Sequence, residues 1–127
     1  MAPRRMFALA ALAAAALLST SALALAAGRS VPGNASRGKA LYLRAGTFCA
    51  SCHTLKAARS TGRDGPNLDK SKLSYARIVD AVATGSKPSR RWPTGMPAYS
   101  GRNRAYGQMT KAQIQDLAAF IYTATHK

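Results

Sequence analysis

The stretch Cys49-Ala50-Ser51-Cys52-His53 is the most informative part of this 127-residue sequence, because it holds the only two cysteines of the chain. Two cysteines three positions apart, followed at once by histidine, form the C-x-x-C-H pattern of covalent haem attachment. On one helical turn the two sulfurs face the same side, where they can add to the two vinyl groups at one edge of a porphyrin. His53 then projects toward the ring centre as an iron ligand. The pattern predicts one covalently bound haem c per chain.

Other chemistries of this pentapeptide are weaker candidates. A disulfide between Cys49 and Cys52 would close a very small loop and stabilise little. A thioredoxin-like dithiol expects a βαβ context, which the sequence lacks, so a non-haem thiol-disulfide protein stays as the alternative from a different functional class. A zinc site needs more ligands, and the only other histidine, His126, lies next to the C-terminus.

A second axial ligand for the iron is expected in the second half of the chain. Two of the four methionines belong to the first 26 residues, which are discussed below. Met109 lies at the start of a predicted helix, where core packing explains it. Met96 lies in Pro93-Thr94-Gly95-Met96-Pro97, a stiff loop segment that can hold a thioether at a fixed distance. We therefore predict His53 and Met96 as the two axial ligands.

Three segments have the patterning of helices. The last, at 111–124, begins with a capping box formed by Thr110 and Gln113. A middle helix is predicted over 75–84 and a first helix over 35–44. Their predicted N-caps and C-terminal stops are Asn34, Ser74, Gly46 and Gly85. The predicted buried face of the last helix consists of Ile114, Leu117, Ala118 and Ile121.

No segment alternates apolar and polar residues as a strand does, so the sequence predicts an all-α fold with three main helices. Long loops over 60–71 and 86–106 connect these helices. Loops of this length are unusual in so small a domain. A large flat cofactor would hold them, because loops can pack on its apolar faces. The expected domain covers residues 34–127.

The N-terminus predicts export. Residues 1–26 have the form of a secretory signal peptide, in which Arg4 and Arg5 precede an uncharged apolar run and a series of small residues. An uncleaved membrane anchor is the alternative, although the apolar run is barely long enough to span a bilayer. Residues 27–33 are predicted to be a linker.

The composition is strongly basic, with 19 Lys and Arg against four acids, all of them Asp, and a formal net charge of +15. Such a charge predicts acidic partners. Nucleic acid would be the first candidate for a cytoplasmic protein. The predicted signal peptide argues against that compartment, so we expect no nucleic-acid partner.

Nearly the whole chain after the leader resembles a class I c-type cytochrome of the mitochondrial and bacterial kind. Gly38 and Tyr42 resemble the pair through which the first helix of that family crosses the last one, and Leu117 and Phe120 resemble their partners. Gly65-Pro66-Asn67-Leu68 matches the family's Gly-Pro-x-Leu segment, and Gly95-Met96-Pro97 matches its distal-ligand loop.

The resemblance implies further site residues. The carbonyl of Pro66 would accept a hydrogen bond from His53, which fixes the ring and raises its basicity. Independently of the resemblance, Arg90, Arg91 and Trp92 could hydrogen-bond the haem propionates, although adjacent arginines are often only a solvated surface. Tyr99 and Tyr106 could line the haem crevice or serve as ordinary packing.

The resemblance also implies a function, that of a single-electron carrier and not an enzyme, because His/Met ligation leaves no open position on the iron. Together with the leader, it implies a location in the periplasm or at the outer face of the cytoplasmic membrane. Expected partners are acidic redox proteins or respiratory membrane complexes, with peripheral contact to anionic membrane, and we expect a monomer. A dedicated cytochrome subunit of a dehydrogenase or sulfur-oxidising complex is the alternative. The cations expected around the haem edge are Lys39, Lys56, Arg59, Lys87, Arg90, Arg91, Arg102 and Arg104.

Overall fold

The computed structural model describes residues 30–101 and 107–127. Within these ranges the chain forms the α-helices α1 (Ala35–Leu43), α2 (Cys49–Cys52), α3 (Tyr75–Thr84) and α4 (Lys111–Thr125). The three main helices of the prediction are α1, α3 and α4, and α2 is the single helical turn on which the sequence analysis places the two cysteines. No helix in the described ranges has both the length and the apolar character needed to span a membrane. The predicted signal peptide at 1–26 lies outside the described residues, as do Arg102, Arg104 and Tyr106.

The predicted helix starts are confirmed. The Thr110 amide donates to Gln113 Oε1 at 2.9 Å and the Gln113 amide donates to Thr110 Oγ1 at 3.2 Å, which is a complete capping box. The side chains of Asn34 and Ser74 likewise accept backbone hydrogen bonds at the starts of α1 and α3. Each cap satisfies an amide that has no partner within its own helix.

The end of α1 differs from the prediction, because Gly46 does not cap it. The helix ends at Leu43, and a 3-10 turn follows over Ala45–Thr47. The hydroxyl of Thr47 donates to the carbonyls of Leu41 and Arg44, both at 2.8 Å. A side chain from beyond the helix therefore bonds the carbonyl of Leu41 in its last turn and that of the C-cap residue Arg44, without a left-handed glycine.

α1 crosses α4 at Gly38, as the family resemblance implies. A Cβ atom at Gly38 would lie 1.9 Å from the carbonyl oxygen of Asp116 and 2.8 Å from Cβ of Phe120, so the two backbones are in direct contact. One turn further along, the rings of Tyr42 and Phe120 meet edge to face with centroids 5.7 Å apart. Leu117 is 1% exposed at the same crossing. Aromatic pairs of this geometry add to the stabilisation gained by burial.

A buried carboxylate, which the sequence did not indicate, fastens the start of α1 to α4. Asp116 is 5% exposed and accepts the Asn34 amide at 2.6 Å and Arg37 Nε at 2.7 Å. The hydrogen bond from Arg37 is the main reason why the pKa of Asp116 lies below its ordinary value of 3.8. The carboxylate is therefore charged in the folded chain and bonded through both oxygens.

We expect Asp116→Asn to lower the free energy of unfolding at pH 7. Because folding depresses this pKa, the stabilisation is fully present above the pKa of the unfolded chain and is lost as pH falls through the folded pKa. The stability difference between the wild type and Asp116→Asn should therefore shrink as the pH falls below 3.8. Denaturant unfolding of both proteins at a series of pH values measures this difference in the free energy of unfolding.

Asp80→Asn is the matched control, since Asp80 forms an exposed pair with Arg77 at 3.4 Å. Exposed pairs contribute little, so this change should leave stability nearly unaltered at every pH. Equal effects of the two substitutions would contradict the role given to Asp116.

The all-α prediction missed a small sheet. Strands β1 (Thr54–Leu55) and β2 (Ser60–Thr61) pair antiparallel, with Leu55 opposite Ser60. Two residues are too few to show an alternating pattern in the sequence. The hydroxyl of Ser60 holds the hairpin together: it accepts the Leu55 amide at 3.0 Å and donates to the His53 carbonyl at 2.8 Å. The hairpin therefore supports the residue that follows α2.

The apolar core lies between α4, α3 and α1. The predicted inner face of α4 is buried throughout, and Met109 is 3% exposed, as expected of a core residue. Such burial is the main favourable contribution to folding. Among the described residues, the side chains contributing most to this core are Tyr42, Leu55, Ile78, Val82, Met109, Ile114, Leu117, Phe120 and Ile121.

Candidate haem site

Helix α2 places the two cysteines on one turn. It begins after Phe48, whose backbone is left-handed with φ of +57°, and it ends at Cys52, directly before His53. The two cysteines are not joined by a disulfide, and burial raises the pKa of each thiol. Thiols used in disulfide exchange have a lowered pKa instead. This site is therefore poorly suited to a reactive dithiol.

The imidazole of His53 is held by the segment that follows the hairpin. Its Nδ1 lies 2.8 Å from the carbonyl oxygen of Pro66. A Cβ atom at Gly65 would lie 2.6 Å from Cε1 of the ring, so only glycine leaves room for the imidazole there. Burial lowers the pKa of His53, and the hydrogen bond to Pro66 opposes this in part. A neutral ring that donates from Nδ1 keeps the lone pair of Nε2 for a metal.

The Gly65–Pro66 segment is itself fastened to α2. The Gly65 amide donates to the Cys52 carbonyl at 2.8 Å, and the Thr54 hydroxyl donates to the Gly62 carbonyl at 2.8 Å. A Cβ at Gly62 would lie 2.3 Å from the Ser51 carbonyl oxygen. Backbone contacts this close keep Pro66 in a fixed position relative to the cysteines.

Met96 lies in a loop with an ordered backbone. Its amide donates to the Ser86 carbonyl at 3.0 Å and its carbonyl accepts the Ser86 amide at 2.8 Å. Gly95 has φ of +65°, and a Cβ atom at Gly85 would lie 2.3 Å from the Met96 carbonyl oxygen. Both positions require glycine. The Met96 side chain is half-buried and packs against the core.

Arg91 and Trp92 line a cleft of about 530 Å³ that Gly65 and Pro66 also line. The guanidinium carbon of Arg91 lies 5.4 Å from the centroid of the Trp92 ring, a cation–π contact. The structure thus places both predicted residues at the cleft lined by Pro66, whose carbonyl bonds the His53 ring. Two cations that the sequence analysis did not select, Arg63 and Lys70, line the cleft as well. Because they lie on either side of Gly65–Pro66 in the sequence, they could have been identified as neighbours of the haem site from that position.

Tyr99 has a more specific role than lining a crevice. It is 3% exposed, and its hydroxyl donates to the carbonyl of Thr47, two residues before Cys49. The Tyr99 amide donates to the Val82 carbonyl at 3.0 Å. The chain after Met96 is therefore bonded both to α3 and to the segment that precedes α2.

These residues fit a covalently bound haem. Two thiols share one helical turn, and the next residue offers a neutral, oriented imidazole in a place that Gly65 keeps open. The described parts of the chain contain no group of three or more His, Cys, Asp or Glu residues that could hold a metal ion directly.

Comparisons with known proteins identify the family of the chain. The model of the family described as cytochrome c oxidase, cbb3-type, subunit III matches residues 33–121. The crystal structure of the c-type cytochrome SorU from Sinorhizobium meliloti is 32% identical, with a TM-score of 0.57, and the match covers 72% of this chain and 91% of that one. No curated protein matches the chain. The fold is cytochrome c-like, and the chain belongs to the class I c-type cytochromes, which transfer electrons and are not themselves enzymes.

Proposed function

We propose that this chain is an exported single-electron carrier in which Cys49 and Cys52 bind one haem c and His53 and Met96 ligate its iron. The observation that carries the proposal is the 2.8 Å hydrogen bond between His53 Nδ1 and the Pro66 carbonyl. Histidines that ligate metals are typically oriented in this way through their second nitrogen. The ordered backbone of Met96 supports the assignment of the second ligand.

When bound, the haem iron supplies a reversible one-electron change between Fe(II) and Fe(III). With His53 and Met96 both holding the iron, no position on it would be left for oxygen or a substrate. The thioether of Met96 favours the reduced ion and raises the potential. Pro66 fixes the His53 ring and increases its basicity. Because the same two side chains serve both oxidation states, little of the protein has to rearrange.

The proposed location is the periplasm or the outer face of the cytoplasmic membrane. It rests on the predicted signal peptide at 1–26, which, if retained, would act as an anchor. If the leader is cleaved, the mature protein consists of the linker at 27–33 and the haem domain at 34–127. A tethered haem suits such a location, because it cannot be lost by dilution.

The proposed partners are acidic redox proteins or respiratory membrane complexes, met by a monomeric carrier that can also contact anionic membrane. The strong net positive charge of +15 supports this choice. Six of the cations named above lie in the described part of the chain, and all are exposed: Lys39, Lys56, Arg59, Lys87, Arg90 and Arg91.

We expect electron exchange with an anionic reagent such as ferrocyanide to slow as salt is added. The Debye length falls from about 30 Å at 10 mM to about 8 Å at 150 mM ionic strength, so long-range attraction is screened over this interval. Stopped-flow absorbance measures the rate. A neutral ferrocene derivative is the control and should show little dependence on salt. Equal behaviour of the two reagents would contradict electrostatic steering.

The first test is the absorption spectrum of the full chain, produced in cells that mature other c-type cytochromes. We expect sharp c-type bands on reduction with dithionite and haem that stays with the polypeptide after denaturation. Haem that dissociates on denaturation would refute attachment through Cys49 and Cys52. A colourless product with a titratable dithiol would favour the thiol-disulfide alternative, which family membership and the raised pKa values of both thiols oppose.

A second candidate function is that of a dedicated cytochrome subunit of a larger complex, such as a dehydrogenase or a sulfur-oxidising complex. The description of the matching family names a subunit of an oxidase, which supports this candidate. Purification from the native membrane and periplasm distinguishes the two. Stoichiometric co-purification with a larger polypeptide would favour the subunit, and elution as a free monomer would favour the diffusing carrier.

A further inference from the structure

We propose that Tyr99 is a positioning residue for the distal ligand: its hydroxyl fastens the loop that carries Met96 to the segment that precedes Cys49. This inference rests on the proposed ligation by His53 and Met96. The residue lies three positions after Met96 and is almost fully buried.

The backbone of Tyr99 is fixed from two sides. Its amide donates to the Val82 carbonyl in the last part of α3 at 3.0 Å, and its carbonyl accepts the Met109 amide, just before α4, at 2.9 Å. From this fixed position the side chain reaches the carbonyl of Thr47. The phenol therefore connects the distal half of the chain to the segment before α2.

The acceptor is equally well fixed. Thr47 is fully buried, and its hydroxyl donates to the carbonyls of Leu41 and Arg44, both at 2.8 Å. These bonds hold Thr47 against the end of α1. A buried carbonyl in a fixed place is costly to leave without a donor, so its bond from Tyr99 restrains the loop.

Haem attachment makes this bond more important. In the free chain the thiol of Cys49 also approaches the Thr47 carbonyl, with Sγ at 3.7 Å. When a thiol adds across a vinyl double bond, its sulfur and its hydrogen end on the two vinyl carbons, so the thioether retains no S–H donor. The hydroxyl of Tyr99 then remains as the side-chain donor to Thr47.

The bonds between Met96 and Ser86 cannot replace this connection. Both residues belong to the loop between α3 and α4, so their two hydrogen bonds order that loop internally. The bond from Tyr99 to Thr47 joins the loop to the haem-attachment segment across 52 positions of sequence. Its loss should let the Met96 thioether leave the iron more often.

The test is Tyr99→Phe in the full-length holoprotein, with added imidazole as the competing ligand. We expect imidazole to displace the native distal ligand about tenfold more readily than in the wild type, since one buried hydrogen bond is removed. We also expect the Met96 and Ser86 amides to exchange with deuterium about tenfold faster. Absorption titration and mass-resolved hydrogen exchange provide the two measurements.

Two tyrosines provide matched controls for the loss of a bonded hydroxyl. Tyr75 donates to the Pro32 carbonyl at 2.8 Å, and Tyr42 donates to the His53 carbonyl at 3.2 Å on the proximal side. Tyr75→Phe should leave imidazole displacement and amide exchange at Met96 unchanged. Tyr42→Phe removes a bond to His53 and should leave amide exchange at Met96 unchanged, even where stability falls. Increases of similar size in all three variants would show a general loss of stability and overturn the proposal.

Met96→Ala separates the failure of the ligand assignment from the failure of this inference. If Met96→Ala leaves the oxidised spectrum unaltered, the proposed ligation is wrong, and amide exchange at Met96 and Ser86 still decides the role of Tyr99. Unchanged exchange in Tyr99→Phe overturns the inference whatever the identity of the distal ligand.

Discussion

Replacing Met96 by alanine is expected to abolish the weak band at the red end of the oxidised absorption spectrum and to lower the reduction potential. The band arises from a thioether on ferric haem, and the thioether preferentially stabilises the reduced ion. We expect a decrease on the order of 100 mV, a fraction of the ~0.8 V over which axial ligands tune haem proteins. Optical redox titration of the holoprotein measures both effects in one experiment.

Met109→Leu is the control for Met96→Ala. Met109 is 3% exposed and its amide donates to the Tyr99 carbonyl, so its side chain is explained by packing. Exchange of methionine for leucine conserves side-chain volume and usually lowers the free energy of unfolding by less than about 1.5 kcal/mol. The control should keep the band and the potential of the wild type. Loss of the band in Met109→Leu, but not in Met96→Ala, would exchange the roles of the two methionines.

Replacing Gly38 by alanine should destabilise the protein by about 3 kcal/mol or more, because the new methyl group has no space. Its carbon would lie 1.9 Å from the Asp116 carbonyl oxygen, which is backbone and cannot rotate away. Alanine favours a helix over glycine by about 1 kcal/mol, so propensity alone predicts the opposite sign. Thermal unfolding should show a midpoint roughly 10 to 20 °C lower in a domain of this size.

Gly46→Ala is the matched control for that experiment. A Cβ atom at Gly46 has no neighbour within 4 Å, and the backbone there has no positive φ. The thermal unfolding midpoint of Gly46→Ala should stay close to that of the wild type. A Gly38→Ala variant as stable as Gly46→Ala would mean that α1 and α4 can separate at no cost, contrary to the close crossing in the structure.

Local features of the sequence predicted local features of the structure. The capping box at Thr110 and the N-caps at Asn34 and Ser74 depend on residues three positions apart, which the sequence displays directly. The turn at Cys49–Cys52 likewise follows from spacing. The hydrogen bond from His53 to Pro66 was implied by the family resemblance, since nothing in the spacing requires it.

The missed features join distant positions. The bonds of Asp116 to Asn34 and Arg37 span about 80 residues, and the bond of Tyr99 to Thr47 spans 52. A polar residue on an otherwise apolar helix face is seen in the sequence, but its partner is not. The β1–β2 pairing was not predicted for another reason: the side chain of Ser60 stabilises it, and no alternating pattern marks it in the sequence.

The crossing of α1 with α4 has a consequence for the order in which the protein matures. α1 cannot bury Gly38 or Tyr42 until residues beyond Lys111 exist, because α4 is its partner. A polypeptide emerging N-terminus first therefore presents its cysteine turn before its tertiary structure can close. The proposed attachment forms bonds to Cys49 and Cys52 alone, so the order of the chain allows it to precede folding, and α4 then packs against α1 after the haem is in place.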